Sequence, residues 1–250
     1  MTQSQTRFTV EGLVIKEMNV GESDRLVTLF TRENGIIKAI ASGAKNPKSK
    51  KAAATSLLTY SSFTILNKKG TLRIYEATPL ASFFTMGSDV EILSLSQYFC
   101  ELALLFGEND HPNEELLRLI LNSLHFLTKK KRYAPLIKAI TEMRISAICG
   151  YKPSLVACEN CGKFEDTVMF FNLSDGSLLC SECSDGQNHI PINKTVLSAL
   201  RQIVFSEFNN LYSFEIPEKD ADVLSKITEK YISLQTDFKF TALDFYNAIK

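Results

Sequence analysis

The pattern of apolar and polar positions changes character about a third of the way along the chain. Up to residue 80, short stretches rich in β-branched and aromatic residues alternate apolar and polar positions, as half-buried strands do. After Pro79 the apolar residues recur every three or four positions, which is typical of amphipathic helices. The pattern therefore predicts an α+β protein with a β domain over residues 1–80 and a helical domain over residues 81–250.

Five strands in two groups are predicted in the first 80 residues. The pair Asn34-Gly35 predicts a tight hairpin between the second and third strands, and Lys68-Lys69-Gly70 closes a hairpin between the last two. We expect the long connection over residues 42–58 to stay a loop, because Gly43 and Pro47 interrupt regular structure. This arrangement favours a five-stranded OB-fold barrel, a fold that binds oligonucleotides, over a generic antiparallel sheet. The predicted strands are 7–16, 25–31, 36–41, 60–67 and 71–77.

Six helices are predicted after Pro79. Asn113 is a good N-cap, with acidic residues in the turn that follows, and Gly150 is a good stop signal. One helix begins after Asn113 and ends at the basic run 129–132, and the others are predicted at 90–106, 135–149, 194–208, 221–234 and 240–249.

Two Cys-x-x-Cys pairs stand eighteen residues apart and carry the strongest chemical signal in the chain. The pairs are Cys158/Cys161 and Cys180/Cys183, and the Asp175-Gly176 turn between them predicts a hairpin. Two such pairs can point four thiolates at the corners of a tetrahedron, so the spacing predicts a zinc ribbon with one structural Zn²⁺, within about residues 156–187. Two disulfides, a redox-active pair and chance spacing are the alternatives. The sequence shows neither a secretory signal nor a βαβ pattern to favour the first two, and four matching cysteines disfavour chance.

The formal net charge is zero, but the charges are unevenly distributed. Residues 1–80 hold twelve Lys and Arg against six Asp and Glu, a net of +6, so the remainder carries −6. A basic first third indicates an anionic partner there. No stretch of eighteen apolar residues and no signal peptide is visible, so we expect a cytoplasmic protein without a membrane span.

Lysines are concentrated in the connection between the two predicted hairpins. Lys45, Lys48, Lys50 and Lys51 could neutralise DNA phosphates, although a solvated loop is the commoner fate of such a run. Arg25, Lys38 and Arg73 lie on predicted strands and could extend the patch. The aromatic residues Phe30, Phe63 and Tyr75 could stack on bases, but we expect each of them to pack in the core.

Several short motifs resemble the bacterial recombination mediator RecO family. In the first part these are Gly21-Glu22-Ser23-Asp24-Arg25, Thr31-Arg32-Glu33-Asn34-Gly35 and Ala41-Ser42-Gly43-Ala44-Lys45, with Ser49 soon after. In the second part they are Gly150-Tyr151-Lys152-Pro153 and the two cysteine pairs. The motifs follow the family order and cover roughly residues 8–185, although Asp175-Gly176 and Glu142-Met143-Arg144-Ile145-Ser146 depart from the usual family residues.

The resemblance implies a DNA repair function rather than an enzyme activity. It implies an OB-fold and a helical domain with a zinc ribbon, binding of single- and double-stranded DNA, and annealing of strands at the nucleoid. It also implies partnership with RecR, with the acidic C-terminal tail of single-strand-binding protein and, indirectly, with RecA. By their chemistry, Lys129, Lys130, Lys131, Arg132 and Arg144 are candidates for binding that tail, although residues 129–132 would also complement a helix dipole.

A second hypothesis, from a different class, is a zinc-stapled adaptor between proteins with little DNA affinity of its own. The zero net charge of the whole chain supports it. An enzyme is the weakest hypothesis, because the sequence contains no Gly-rich phosphate loop, His-Glu-x-x-His or Gly-x-Ser-x-Gly motif.

Overall fold

The computed structural model describes residues 6–84, 89–186 and 189–250, and its N-terminal part is a closed barrel. The barrel strands follow the order β1-β2-β3-β5-β4, and β1 pairs with both β2 and β4. This arrangement confirms the α+β class and the predicted OB-fold barrel. The strands are β1 (Thr6–Val20), β2 (Asp24–Thr31), β3 (Gly35–Ala41), β4 (Thr59–Lys68) and β5 (Thr71–Ser82).

The barrel interior is built from alternate residues of each strand, as the period of two requires. These side chains are aliphatic or aromatic and almost fully buried. One correction concerns the connection between β3 and β4, because residues Lys50–Ala54 form a short helix, α1, instead of a loop. The Ser49 side chain accepts a hydrogen bond from the Lys51 N–H and caps this helix.

The described chain forms two compact units. Unit 1 holds the barrel, α2 (Val90–Phe106), α3 (Glu114–Thr128) and α7 (Thr241–Ile249), and unit 2 spans Lys130–Lys239. Within unit 1, Glu101 of α2 accepts a hydrogen bond from the Ala242 N–H at 3.1 Å, and Tyr98 packs edge-on against Phe240. Three helices that the sequence pattern assigned to the second domain thus lie in the same compact unit as the barrel. The domain boundary at residue 80 stays a prediction.

Unit 2 combines helices with a small sheet. Its helices are α4 (Ala134–Ile148), α5 (Lys194–Phe205) and α6 (Glu218–Thr236), and its sheet has the order β6-β8-β7-β9. The predicted Asp175-Gly176 hairpin joins β7 (Met169–Asn172) to β8 (Ser177–Cys180). The flanking strands β6 (Ser154–Cys158) and β9 (His189–Ile192) were not predicted from the sequence pattern. None of the described helices is long and apolar enough to cross a bilayer.

A buried ionic cluster joins α4 to α6 inside unit 2. The Lys138 and Glu142 side chains are both 0% exposed, and the Lys138 ammonium lies 2.9 Å from the Glu142 carboxylate and 2.8 Å from that of Glu229. The Thr228 hydroxyl donates a further hydrogen bond to Glu142 at 2.6 Å. Burial raises the pKa of Glu142, and the adjacent Lys138 ammonium opposes this shift. Because removing one partner would strand the other charge, the cluster fixes the pairing of these helices.

The β2–β3 hairpin is shaped by a threonine and a glycine. The Thr31 hydroxyl donates to the Gly35 carbonyl at 2.8 Å and accepts from the Asn34 N–H at 3.1 Å. Gly35 has φ +59°, and a Cβ there would overlap the backbone oxygens of Glu108 and His111. The turn therefore needs glycine both for its backbone conformation and for the close approach of the α2–α3 connection.

We expect Gly35→Ala to lower the free energy of unfolding more than Gly70→Ala does. Gly70 also has positive φ, but nothing lies within 4 Å of its Cβ position. The control should lose about 1–2 kcal/mol for the left-handed conformation. Gly35→Ala should lose about 1–3 kcal/mol more through overpacking. Urea unfolding followed by circular dichroism measures both, and equal losses would contradict the close-approach argument.

Candidate metal centre and nucleic-acid interface

The four predicted cysteine ligands lie together in unit 2. The Sγ atoms of Cys158, Cys161, Cys180 and Cys183 are all within 4.8 Å of one another. A tetrahedral site with metal–sulfur bonds of about 2.3 Å needs sulfurs about 3.8 Å apart, and the Cys161–Cys180 separation is 3.6 Å. All four are free thiols, so the cluster has the donor set and the size to hold a metal ion.

Backbone hydrogen bonds shape each cysteine pair into a tight turn. The Gly162 N–H donates to the Cys158 carbonyl at 2.9 Å, and the Ser184 N–H donates to the Cys180 carbonyl at 3.0 Å. Gly162 has φ +74°, a conformation that a residue with a Cβ adopts only with strain. These turns aim the two sulfurs of each pair at one point, which explains the spacing of two residues.

The electrostatics of the cluster favour a bound cation. Burial opposes ionisation of Cys158, but the N–H groups of Cys161, Cys180 and Asn160 outweigh it and lower the pKa of that thiol to about 6. Hydrogen bonding to Cys180, together with burial, raises the pKa of Cys183 to about 12. Thiolates this close repel one another, so a metal ion is what allows all four to ionise together.

The Asp166 carboxylate, which was not predicted as a site residue, links the two cysteine turns. Asp166 accepts hydrogen bonds from the Ser181 hydroxyl at 2.8 Å and from the Lys163 ammonium at 3.2 Å. These groups and the Thr167 N–H hold the pKa of Asp166 well below its usual range, with the Ser181 hydroxyl contributing most. Because Ser181 lies inside the second cysteine pair, Asp166 fixes one turn relative to the other.

Arg201 of α5 is a second residue that sequence reasoning missed. Its guanidinium donates to the carbonyls of Leu155, Val156 and Phe164, each at 2.8 Å. It also stacks over the Phe164 ring, 4.1 Å from the centroid. The first cysteine turn is thereby attached to α5 through backbone groups, a role that leaves no signature in the sequence.

The basic connection of unit 1, residues 42–58, is anchored by contacts between two of the short motifs, 21–25 and 41–45. Asp24 accepts a hydrogen bond from the Gly43 N–H at 3.0 Å, and the Lys45 N–H donates to the Ser23 carbonyl at 3.0 Å. The Gly43 N–H and the Ser23 hydroxyl lower the pKa of Asp24. The Lys45 ammonium also reaches the Gly21 carbonyl at 3.3 Å while remaining at the surface.

Arg25 points into the protein and supports α1. Its guanidinium lies 3.2–3.3 Å from the Ala52 carbonyl and the hydroxyls of Thr55 and Ser56, and 3.3 Å from the Glu17 carboxylate. The side chain is only 15% exposed. The observed contacts give Arg25 a structural role, and DNA contact by this residue stays a prediction.

The other predicted DNA-contact residues differ in their availability. Lys51 is half-buried and donates to the Ile74 carbonyl at 3.1 Å. Lys38, Lys48 and Lys50 are exposed, and no hydrogen bond or ion pair within the described part of the chain engages their ammonium groups. The structure thus leaves Lys38, Lys45, Lys48 and Lys50 able to reach a ligand.

Aromatic residues of the barrel differ from the expectation in one case. Phe30 and Phe63 are 0% exposed, which confirms core packing for both. Tyr75 is 51% exposed, so the expectation that it packs in the core was wrong.

The residues predicted to bind an acidic tail also differ in their contacts. Arg144 donates to the carbonyls at the end of α5 at 3.1–3.3 Å, which caps that helix. Arg132 donates to the Phe214 carbonyl and pairs with Glu215 at 2.8 Å. Lys129, Lys130 and Lys131 have exposed side chains.

We expect Asp166→Ala to weaken metal binding about 10-fold or more, because residues that orient ligands commonly contribute 10–100-fold to affinity. Glu159→Ala is the matched control, since Glu159 is exposed inside the first cysteine turn and its loss removes the same charge. Titration with Co²⁺, followed by thiolate-to-metal absorption, measures both variants. Equal effects would show that only the net charge matters.

Comparison with known proteins identifies the family. The model described as recombination protein O N terminal matches residues 4–83, and that described as recombination protein O C terminal matches residues 87–244. The chain is 34% identical over 239 residues to the DNA repair protein RecO of Acetivibrio thermocellus, covering 95% of each chain. It is 30% identical to that of Caldicellulosiruptor saccharolyticus, covering 96% of this chain and 98% of the relative. With both family models matched in order along the barrel and the cysteine cluster, the chain belongs to the recombination protein O family of DNA repair proteins.

Proposed function

We propose that this protein is a recombination mediator that binds single- and double-stranded DNA and anneals single strands without covalent catalysis. One observation carries the proposal: Lys38, Lys45, Lys48 and Lys50 place their ammonium groups at the surface of one strand and the following connection of an OB-fold barrel, in a chain of a DNA repair family. Because DNA is the proposed partner, we propose that the protein acts at the nucleoid in the cytoplasm.

The proposed mechanism is electrostatic and reversible. Each lysine that meets a phosphate releases a condensed counterion, which favours binding at low salt. Neutralising phosphates on two complementary strands lowers their mutual repulsion, so that base pairing can bring the strands together. Because Asp24 and Ser23 anchor the connection, its backbone near Gly43 and Lys45 loses little conformational freedom on binding.

We also propose the partners that the family implies. These are RecR, the acidic tail of single-strand-binding protein and, indirectly, the RecA recombinase that would be loaded onto DNA. For the acidic tail we propose the exposed Lys129, Lys130 and Lys131 as contacts. The guanidinium groups of Arg132 and Arg144 donate to carbonyls within the chain, so contact with the tail would require them to give up some of these hydrogen bonds.

For the cysteine cluster we propose one structural Zn²⁺. Four sulfur donors complete a tetrahedron and leave no position for substrate, which is typical of structural zinc. When bound, the ion would stabilise the thiolate forms of Cys158, Cys161, Cys180 and Cys183.

Removing two ligands should destabilise unit 2, because the free energy of metal binding contributes to folding. We expect Cys158→Ser/Cys161→Ser to lose bound zinc and to lower the melting temperature seen by circular dichroism. Cys149→Ala, outside the cluster, is the control. An unchanged melting temperature after complete zinc removal would contradict a structural role.

DNA binding is tested by fluorescence anisotropy of a labelled single strand at several salt concentrations. We expect Lys45→Ala/Lys48→Ala/Lys50→Ala to weaken binding at low salt. The slope of log affinity against log salt concentration should fall in magnitude by about 2. Each phosphate of the single strand that the protein no longer neutralises accounts for about 0.7. The matched control, Lys219→Ala/Lys226→Ala/Lys230→Ala, removes three exposed lysines from α6 of unit 2.

Two results would overturn this proposal. An equal reduction of affinity in both triple variants would show that the net charge, rather than the connection, governs binding. No binding by the unaltered protein at low salt would favour the protein adaptor, and the acidic-tail peptide would then be the ligand to titrate.

A further inference from the structure

An extra residue in β5 places an aromatic side chain on the barrel surface. Along the β4–β5 pairing, Thr64 faces Glu76 and Ile65 faces Ile74, so Tyr75 has no partner on β4. This is a β-bulge, a device that redirects a side chain and is frequent at binding sites. Ile74 is buried, whereas Tyr75 and Glu76 both lie on the exposed side of the strand.

The exposure of Tyr75 distinguishes it from other aromatic residues of the barrel. Its side chain is 51% exposed, while Phe8 and Tyr60 are only partly exposed and Phe30 and Phe63 are fully buried. Among the described residues of the five strands, it is the one aromatic group with a largely open surface. An exposed ring contributes little to the core, so its position suits a ligand better than packing does.

Arg7 of β1 lies against the Tyr75 ring. Its guanidinium lies 4.9 Å from the centroid of Tyr75, and it pairs with the Glu76 carboxylate at 3.7 Å. Both charged side chains are more than half exposed, and surface pairs of this kind are weak. A phosphate could therefore replace Glu76 as the partner of Arg7 at little cost.

The strand register connects Arg7 to a row of cations on the outer face. Arg7 pairs with Leu66, Leu66 with Arg73, and Arg73 with Ile40 of β3. Lys38 lies two residues from Ile40 and so shares its face. Since neighbouring strands are about 4.8 Å apart, Arg7 and Arg73 lie on one line across the barrel wall, and Lys38 lies about 7 Å along β3 from the end of that line.

This row leads to the basic connection already described. The Arg73 guanidinium lies 3.5 Å from the hydroxyl of Ser42, the first residue of that connection. The Lys51 ammonium reaches the Ile74 carbonyl, next to Tyr75 in the sequence. The exposed ring thus lies beside a continuous basic surface formed by strands and connection.

We propose that Tyr75 stacks on an unpaired base of a single DNA strand while Arg7 and Arg73 contact the adjacent phosphates. The inference rests on the proposed DNA-binding function. It adds the residue through which the protein would bind single strands in preference to duplex. Bases within a duplex are already stacked on their neighbours, so only an unpaired base can offer a face to the ring. A base–aromatic stack of this kind changes affinity by about 10-fold.

The chain contains no tryptophan, which allows a direct test. In Tyr75→Trp the new indole is the only tryptophan fluorophore, and stacking should quench it when an oligothymidylate is titrated. A blunt duplex should quench it much less at equal occupancy. Tyr151→Trp, which places the indole at a part-exposed position of unit 2, is the control and should not change.

Affinity measurements separate stacking from charge. Tyr75→Ala should weaken single-strand binding about 10-fold with an unchanged salt slope, and Tyr75→Phe should restore the affinity because it keeps the ring. Arg73→Ala should lower the slope by about 0.7.

The outcomes distinguish this inference from the function on which it rests. If the indole of the Tyr75→Trp variant stays unquenched while anisotropy shows the protein to be DNA-bound, the stacking role is overturned and the DNA-binding function stands. Quenching of equal size by duplex would overturn the preference for single strands. Absence of any DNA binding by the unaltered protein would overturn both.

Discussion

Closure of the barrel between β3 and β5 is the constraint on which the proposed DNA surface depends. These strands share a single register pair, Ile40 with Arg73, and the connection that carries α1 contacts β5 beside it. The Lys51 ammonium connects α1 to the Ile74 carbonyl of β5, and the Arg25 guanidinium connects the Ala52 carbonyl of α1 to β2. Because this anchored connection also bears Lys45, Lys48 and Lys50, folding itself orders the backbone that carries the proposed phosphate contacts.

Both compact units bury an apolar core, and unit 2 adds polar and thiol contacts to its core. The barrel of unit 1 encloses an apolar core, with alternate side chains of every strand directed inward. In unit 2, four convergent thiols and the buried Lys138–Glu142 ion pair further constrain the packing of the small sheet and the helices. Such groups tolerate few alternative arrangements, since a shifted helix or turn would leave charges or thiols without partners.

Sequence periodicity predicted the five barrel strands and the six longer helices because it reports which face of an element is buried, but it missed α1, β6 and β9. The cysteine spacing likewise predicted the thiol cluster, since two residues between ligands suit a tight turn. Charged and aromatic roles were harder to predict, because they depend on contacts with distant residues. Arg25 meets Ala52, Asp166 meets Ser181, and the exposure of Tyr75 follows from one extra residue in the pairing of β5. No local pattern encodes these relationships.

The place of α7 in unit 1 has a consequence for synthesis on the ribosome. Unit 1 is discontinuous in sequence, because the whole of unit 2 is inserted between α3 and α7. Glu101 and Tyr98 of α2 lack their partners, Ala242 and Phe240, until unit 2 has been translated. The barrel can begin to fold early, but the face of α2 that α7 covers stays open for most of translation. Unit 2, which is continuous, can be completed before the unit that precedes it.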